Sequence, residues 1–517
     1  MIIDTHFQNK DLIYLVIGLL FVVGSIILFL KDRVKLAILF LSFGGCILRF
    51  FMIGLDPFIH IWDEQFHALV SKNMMSNPFN PTLYSNPVLP YDTSSWSSNH
   101  IWLHKGPVFL WLIAISFKVF GVNEIALRLP SLLMSTILIP IIFRMGKIVA
   151  NDKVGFMAAF LFATANYQLE MVTGTIGSDH NDVAFMFFLC AGFWAWFEYQ
   201  NSGKIKWLIL IGLFSGLAVD TKWIMGFLVF FCWFLTIILN KEKRGQLISY
   251  RPIFVSGLIA IAVSTPWYIY TFIRFPLETE ETLSSYSRHF GTVMEGHSGN
   301  WLYHIALMGQ QYGWIVPIII LPSLYLLFRH LSKKIEYRIL IFSWLMTVEI
   351  FYAFAQTKMP YFTIIVAPVM YVALGSFIVL VFQYAANKVQ RGRVIITSVL
   401  ILFIGIFNFS INEVEGHHTN AGFMEGERTK YTHNTSVFKD IVNRLPGKDY
   451  VIFNCKDCNA IQVMFYSGGT AYNELPQKAI CDSLEKKGVN LAVFYDGKLP
   501  DYIKNDSKII KLEYSVM

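Results

Sequence analysis

The chain has 517 residues, of which 55% are hydrophobic and 15% charged, with a formal net charge of +7 and a mean hydropathy of +0.50. This composition excludes a soluble globular protein. The positive balance does not argue for a nucleic-acid partner, because the Lys and Arg residues sit mostly in short loops between apolar runs, where they set orientation and touch anionic lipid.

Apolar runs of about 20 residues, the length that crosses a roughly 30 Å hydrocarbon core, recur along most of the chain. They lack the alternation of barrel strands, so helical spans are expected. The runs lie near residues 12–30, 34–54, 124–149, 154–172, 183–199, 205–219, 222–239, 253–273, 312–328, 337–355, 361–384 and 394–412, about twelve spans in all. Basic clusters occupy every second loop: Lys31/Arg33/Lys35, Arg144/Lys147/Lys153, Lys204/Lys206, Lys241/Lys243/Arg244/Arg251, Arg329/Lys333/Lys334/Arg338 and Lys388/Arg391/Arg393. The positive-inside rule makes these loops cytoplasmic and puts both termini and the remaining loops outside. The run Pro107–Phe120 is short for a span and reads as an interfacial or re-entrant helix. Residues 56–123 then form one large outer loop, and a second runs from about Phe275 to Gln311. No cleavable signal is expected, since the first apolar run is long and follows an acidic, polar start.

Beyond residue 414 the chain turns polar, and runs such as Tyr450-Val451-Ile452-Phe453 and Leu491-Ala492-Val493-Phe494 alternate with helix-like stretches. The expected fold is therefore a polytopic α-helical membrane domain over residues 1–413, with a large first outer loop carrying juxtamembrane helices. A small extracytoplasmic α/β domain follows over 414–517. Cys46, Cys190 and Cys232 fall in apolar runs as small core residues. Cys455, Cys458 and Cys481 are in the polar tail; without a second Cys or His pair at zinc-site spacing, a structural disulfide is preferred there over metal or redox chemistry.

With this topology the outer ends of the spans collect polar groups from at least six segments. The first loop brings Asp63, Glu64 and His67 in Trp62-Asp63-Glu64-Gln65-Phe66-His67, then His104-Lys105, with Arg128 beyond it. Asp179 and Asp182 flank His180-Asn181, Lys222 opens a span, the long loop brings Arg288, His289, Glu295 and His297, and Lys358 with Tyr361 opens the eleventh run. Each has a plain reading beside the functional one. Lys222 and Lys358 are placed to snorkel, Asp179 and Asp182 to cap a helix, and His297 to sit in a turn. Arg128 reads as a topology residue or a phosphate ligand. Together they suit one chemistry, in which cations hold a polyprenyl phosphate and stabilise it as it departs while a carboxylate acts as general base on an incoming hydroxyl.

These residues resemble the GT-C glycosyltransferase superfamily, in particular the branch of aminoarabinose transferases and protein O-mannosyltransferases. The resemblance rests on Asp63-Glu64, His104-Lys105-Gly106-Pro107, Phe120-Gly121-Val122-Asn123-Glu124 leading to Arg128-Leu129-Pro130, Thr221-Lys222, and Thr265-Pro266-Trp267-Tyr268. It continues in Arg288 with Gly296-His297-Ser298-Gly299 and in Thr357-Lys358-Met359-Pro360-Tyr361. It implies Asp63 as the catalytic carboxylate with Glu64 in support, and a second acidic residue at Asp182, with Asp179 in reserve. Lys105, Lys222, Arg288, Lys358 and Tyr361 are implied to line the lipid-phosphate cavity, with His104, Arg128 and His297 as further substrate-binding candidates. Gly106 departs from the branch, which usually has proline there. The span near residues 12–30 is also additional to the family pattern.

The implied function is inverting transfer of a sugar from a polyprenyl-phosphate-linked donor to a lipid, glycan or protein acceptor at the periplasmic face of a bacterial inner membrane. No cofactor is certain. Metal dependence varies in the family, and Asp63, His67, Asp182 and His297 are the candidates for a divalent ion. Two alternatives stay open: a polysaccharide polymerase or ligase using a lipid diphosphate donor, and a lipid-linked sugar transporter or flippase, although the polar groups gather at span ends rather than mid-membrane and no inverted repeat stands out.

Overall fold

A computed structural model of the chain describes all residues except 1–6, 8, 92, 94, 176–179, 389–407, 420–426, 446–449, 457–458, 496 and 514–517. The described chain is mostly helical with one small sheet. It divides into two compact units. Unit 1 comprises Met1–Leu55, Lys105–Phe109 and Arg128–Glu415, and unit 2 comprises Asp56–His104, Leu110–Leu127 and Gly416–Met517.

Among the described residues six helices are long and apolar enough to cross a membrane: Asp11–Leu30, Val34–Gly54, Glu124–Val149, Leu247–Arg274, Ile335–Phe354 and Ile364–Tyr384. A bent pair, Tyr303–Tyr312 with Val316–Leu331, raises this to up to seven if it is one span; it turns through 88°. The chain is a multi-pass membrane protein; the expected count of about twelve spans is not confirmed among the described residues, and several of the expected runs are interrupted locally. The run near residue 165 breaks where Ala165 takes an extended ψ of 124° between the helices Asp152–Thr164 and Asn166–Glu170. The runs near 205–219 and 222–239 become the short apolar helices Ile205–Val219 and Ile224–Ile238. The bend in the pair falls at Gly313, whose φ of 108° ends the first helix. Most of the run near 394–412 lies outside the described residues. Pro107–Phe120 forms the expected short helix of 14 residues.

In unit 1, small residues set how closely the helices pack. Gly212 and Gly216 lie one turn apart on Ile205–Val219 and face the helix Arg251–Arg274. A Cβ on them would come within 2.5 Å of the Ser256 carbonyl oxygen and 2.8 Å of that of Ala260. Close backbone approach of this kind is how membrane helices gain packing where lipid removes the hydrophobic drive. It fixes the end of Ile205–Val219 and the turn Asp220-Thr221-Lys222 that follows.

Unit 2 holds a four-stranded parallel sheet, β1 (Tyr450–Phe453), β2 (Thr470–Ala471), β3 (Asn490–Tyr495) and β4 (Ile510–Glu513), in the order β2-β1-β3-β4. All four residues of β1 are buried, as a parallel strand covered on both faces requires. The helix Ala460–Ser467 after β1 packs on the helix Asp63–Met74 from the first loop. Lys72 donates to the Phe465 carbonyl at 2.5 Å near the carboxyl end of Ala460–Ser467, where a cation is favoured. Cys455 and Cys481 are buried and free, so no disulfide joins them, and Cys458 lies outside the described residues. Burial pushes the Cys455 thiol upward, which opposes the thiolate that metal or redox chemistry needs.

Candidate active site

In unit 1 the cations are gathered by two backbone arrangements. The stretch Lys105–Phe109 lies edge-on to the end of Ile205–Val219, where the amide of Val108 donates to the carbonyl of Asp220 at 3.3 Å. A Cβ on Gly106 would come within 1.9 Å of that carbonyl oxygen, so the family's proline does not fit this approach and glycine does. The second arrangement is a backbone zipper. The amides of Gln356, Thr357 and Lys358 donate to the carbonyls of Phe290, His289 and His297 at 3.0, 3.1 and 3.0 Å. The Thr357 hydroxyl also bridges the loop, donating to the Thr292 carbonyl at 2.9 Å and accepting from the Met294 amide at 3.1 Å.

The electrostatic consequence falls on His289. Burial first, then the electrostatic influence of Lys105, Lys222, Arg288 and His297, pulls its imidazole down to about 4, so it is neutral at physiological pH. Four groups from three separate segments thus act on one imidazole. Lys222 forms an ion pair with the 2%-exposed Asp182 at the start of the helix His180–Ser202, and its ammonium lies over the rings of Tyr361 and Phe362 at 5.7 and 5.3 Å. Arg288 reaches the Ser284 hydroxyl at 2.7 Å and Glu281 at 2.5 Å on its own helix, Pro276–Gly291. Tyr361 is buried with its hydroxyl 3.3 Å from the Met359 sulfur.

Two expected members of the clamp have other engagements. Lys358 is buried, and its ammonium donates to the carbonyls of Tyr352 and Ala353, both at 2.7 Å, closing the carboxyl end of the helix Ile335–Phe354. Arg128 is 0% exposed and donates to the Ile53 carbonyl at 3.1 Å. Neither is among the charges acting on His289. Asp179 lies outside the described residues.

In unit 2, Asp63 is the first residue of the helix Asp63–Met74 and is half-buried. Glu64 beside it is buried and accepts from the backbone amide of His60 at 2.6 Å while meeting the His60 Nδ1 at 2.6 Å. The other ring nitrogen of His60 is 3.0 Å from Asp56, which in turn meets His418 at 2.8 Å and Arg428. Asp56, His60, His418 and Arg428 were not singled out from sequence. The spacing of Asp56, His60 and Glu64 at intervals of four was the available signal, but their partners lie more than 350 residues away. His67 is buried against Trp102, with ring centroids 5.7 Å apart, and His104 is half-buried and stacked on Trp96 at 4.9 Å. Among the described residues no group of three or more His, Cys, Asp or Glu side chains is arranged to hold a metal ion.

The family described as dolichyl-phosphate-mannose-protein mannosyltransferase matches residues 104–270. The chain is 27% identical over 237 residues to an uncharacterized protein of Aquifex aeolicus, which covers 44% of this chain and 42% of the relative. It is 22% identical over 392 residues to undecaprenyl phosphate-alpha-4-amino-4-deoxy-L-arabinose arabinosyl transferase 2 of Pseudomonas fluorescens, covering 72% of this chain and 60% of that one. The chain therefore spans from about two fifths to three fifths of the length of these curated relatives. In fold it matches ArnT from Cupriavidus metallidurans with a TM-score of 0.59 at 13% identity, covering 90% of this chain and 88% of that one. The Archaeoglobus fulgidus oligosaccharyltransferase matches with a TM-score of 0.53 at 12% identity, covering 85% and 64%. Sequence and fold agree with the resemblance carried by the motifs.

Proposed function

We propose that this membrane protein of GT-C fold transfers a sugar from a polyprenyl-phosphate-linked donor to a lipid, glycan or protein acceptor at the periplasmic face, with inversion. The observation that carries the reading is the pair of backbone arrangements that gather the segments of Lys105, Lys222, Arg288 and His297: Val108 on the Asp220 carbonyl, and Gln356, Thr357 and Lys358 on the carbonyls of Phe290, His289 and His297. Cations brought together from separate segments are what a phosphate headgroup requires.

In this reading the clamp binds the donor phosphate and stabilises the charge that grows on it as the anomeric C–O bond breaks. A phosphate leaves as an anion and needs no proton. Asp63 accepts the proton of the acceptor hydroxyl as that oxygen bonds to the anomeric carbon from the opposite side. Glu64, tied to His60, steadies the backbone around Asp63. Asp182 holds the Lys222 ammonium in place. Two similar structures support the donor class: ArnT from Cupriavidus metallidurans bound to undecaprenyl phosphate, and an archaeal oligosaccharyltransferase in complex with an inhibitory peptide and a dolichol-phosphate.

The test is mass spectrometry of the released lipid after incubating the purified protein in nanodiscs with undecaprenyl-phosphate-linked sugars and membrane extract as acceptor. Release of undecaprenyl monophosphate, abolished by Asp63→Asn in a variant that expresses and folds normally, is expected. Full activity of that variant would remove Asp63 from its role, and release of a diphosphate would replace the donor class.

A further inference from the structure

Trp62 immediately precedes the proposed base, and it is placed as no packing residue needs to be. Its indole is 42% exposed, and its backbone has φ 80° and ψ −141° as the residue before the first turn of Asp63–Met74. For a non-glycine residue such a conformation costs on the order of 1–3 kcal/mol and persists where the surroundings impose it, which is most often at ligand sites. Burial of the indole does not repay that cost here.

Behind Trp62 an aromatic wall runs inward. Its ring meets Trp96 edge to face, with centroids 6.3 Å apart and planes at 72°. Trp96, half-buried, stacks on His104 at 4.9 Å and 21° and packs on the buried Phe66 at 4.9 Å. Phe66 in turn stacks flat on Trp102, at 6.0 Å and 3°, and Trp102 is 1% exposed. The inner rings are therefore fixed by the core, Trp96 is held between His104 and Phe66, and the outermost indole, that of Trp62, is braced on Trp96 while staying 42% exposed. A flat aromatic face bordered by a carboxylate suits a pyranose, whose axial C–H bonds cover the ring while its hydroxyl edge meets the oxygen atoms.

We propose that Trp62 and Trp96 form a sugar-binding platform that seats a pyranose ring beside Asp63, with His104 holding Trp96 in place. The ring is that of the lipid-linked donor or that of a glycan acceptor. The assignment deepens the glycosyltransferase reading and rests on it.

The experiment measures binding to the full chain in nanodiscs. Donor probes are undecaprenyl phosphate and its mannosyl, glucosyl and aminoarabinosyl forms; acceptor probes are soluble manno- and gluco-oligosaccharides. If the donor sugar sits on the platform, at least one glycosylated lipid binds about tenfold more tightly than bare undecaprenyl phosphate. Trp62→Leu and Trp96→Leu erase that preference without changing affinity for the bare lipid, and Trp62→Phe keeps it. If the acceptor sits there, the same pattern is read in the oligosaccharide arm instead. The proposal is overturned if neither arm depends on Trp62 and Trp96, or if the leucine variants weaken bare-lipid binding equally, as loss of a membrane-interface anchor would. Failure of the wild type to bind undecaprenyl phosphate at all would sink the donor reading itself, and the platform would then be judged on the oligosaccharide arm.

Discussion

At the residue scale, the pair Asp182–Lys222 shows how burial decides what a charge does. Asp182 is 2% exposed and sits beside an ammonium that is itself largely covered. Removing one partner of a buried pair strands the other, at a cost of about 3–5 kcal/mol. Asp182→Asn is accordingly expected to lower the thermal unfolding midpoint as well as activity. The double variant Asp182→Asn/Lys222→Met should recover most of the stability and none of the transfer; recovery of both would make the pair purely structural. His289 supplies a second test. Its imidazole is depressed from 6.5 to about 4, by burial and then by Lys105, Lys222, Arg288 and His297. The unfolded chain therefore takes up a proton before the folded one does, so stability falls as pH drops from 6.5 towards 4. A bound phosphate offsets those cations and lets His289 protonate. The phosphate's own second ionisation releases protons as the cations bind it, so the His289 contribution is read as a difference: near pH 5.5 the wild type should take up more protons on binding undecaprenyl phosphate than His289→Gln does, measurable by calorimetry in buffers of different ionisation enthalpy.

At the scale of elements, the site depends on how closely backbones approach. Gly106→Ala would push a methyl into the Asp220 carbonyl, 1.9 Å from its oxygen, and a carbonyl at a helix end cannot swing aside as a side chain does. The expected result is a loss of about 1–3 kcal/mol of stability with weakened binding of undecaprenyl phosphate, because Lys105 moves with the segment. Unchanged lipid affinity in the folded variant would separate Lys105 from the clamp. This contact was present in the sequence only as a departure, a glycine where proline was expected. Much else was legible. Charge periodicity and run length gave a helical membrane domain and a small α/β tail, and the short Pro107–Phe120 run was read at its observed length. The span count was less legible, because hydropathy does not reveal the break at Ala165 or the bend at Gly313, both of which are backbone events inside apolar sequence. In sequence Lys358 reads as a snorkelling cation or a lining residue of the phosphate cavity and Arg128 as a topology residue or a phosphate ligand, whereas in the fold each donates to carbonyls at a helix end. Neutral His289 is not legible in sequence for a related reason: its state is set first by burial and then by charges from distant segments.

At the scale of the whole molecule, unit 2 is assembled from three stretches that are far apart in sequence, and Asp56 helps to close it. Asp56 is fully buried, which alone would raise its carboxyl; His418 and then His60 outweigh burial and hold it well below its ordinary 3.8. His60 is the reverse case, because burial alone would lower it, while Glu64 and then Asp56 raise it above 6.5. Arg428 completes the charge balance from the segment beyond residue 416. The signs define a window. Asp56 contributes stability above 3.8 that is lost as pH falls through its lowered folded value, and His60 contributes stability below 6.5 that is lost as pH rises through its raised one. The docking of the helix Glu427–Arg444 in unit 2 should therefore be firmest between those limits and loosen in mild alkali, as hydrogen exchange corrected for intrinsic rates would show in a drop in protection from pH 6 to pH 8.5. His60→Gln removes the titrating group, so the protection of that helix should become lower and flat across the same range. A pH dependence in His60→Gln equal to that of the wild type would assign the loosening to some other group, and the relay from Arg428 through Asp56 and His60 to Glu64 would lose its part in holding the Asp63 helix.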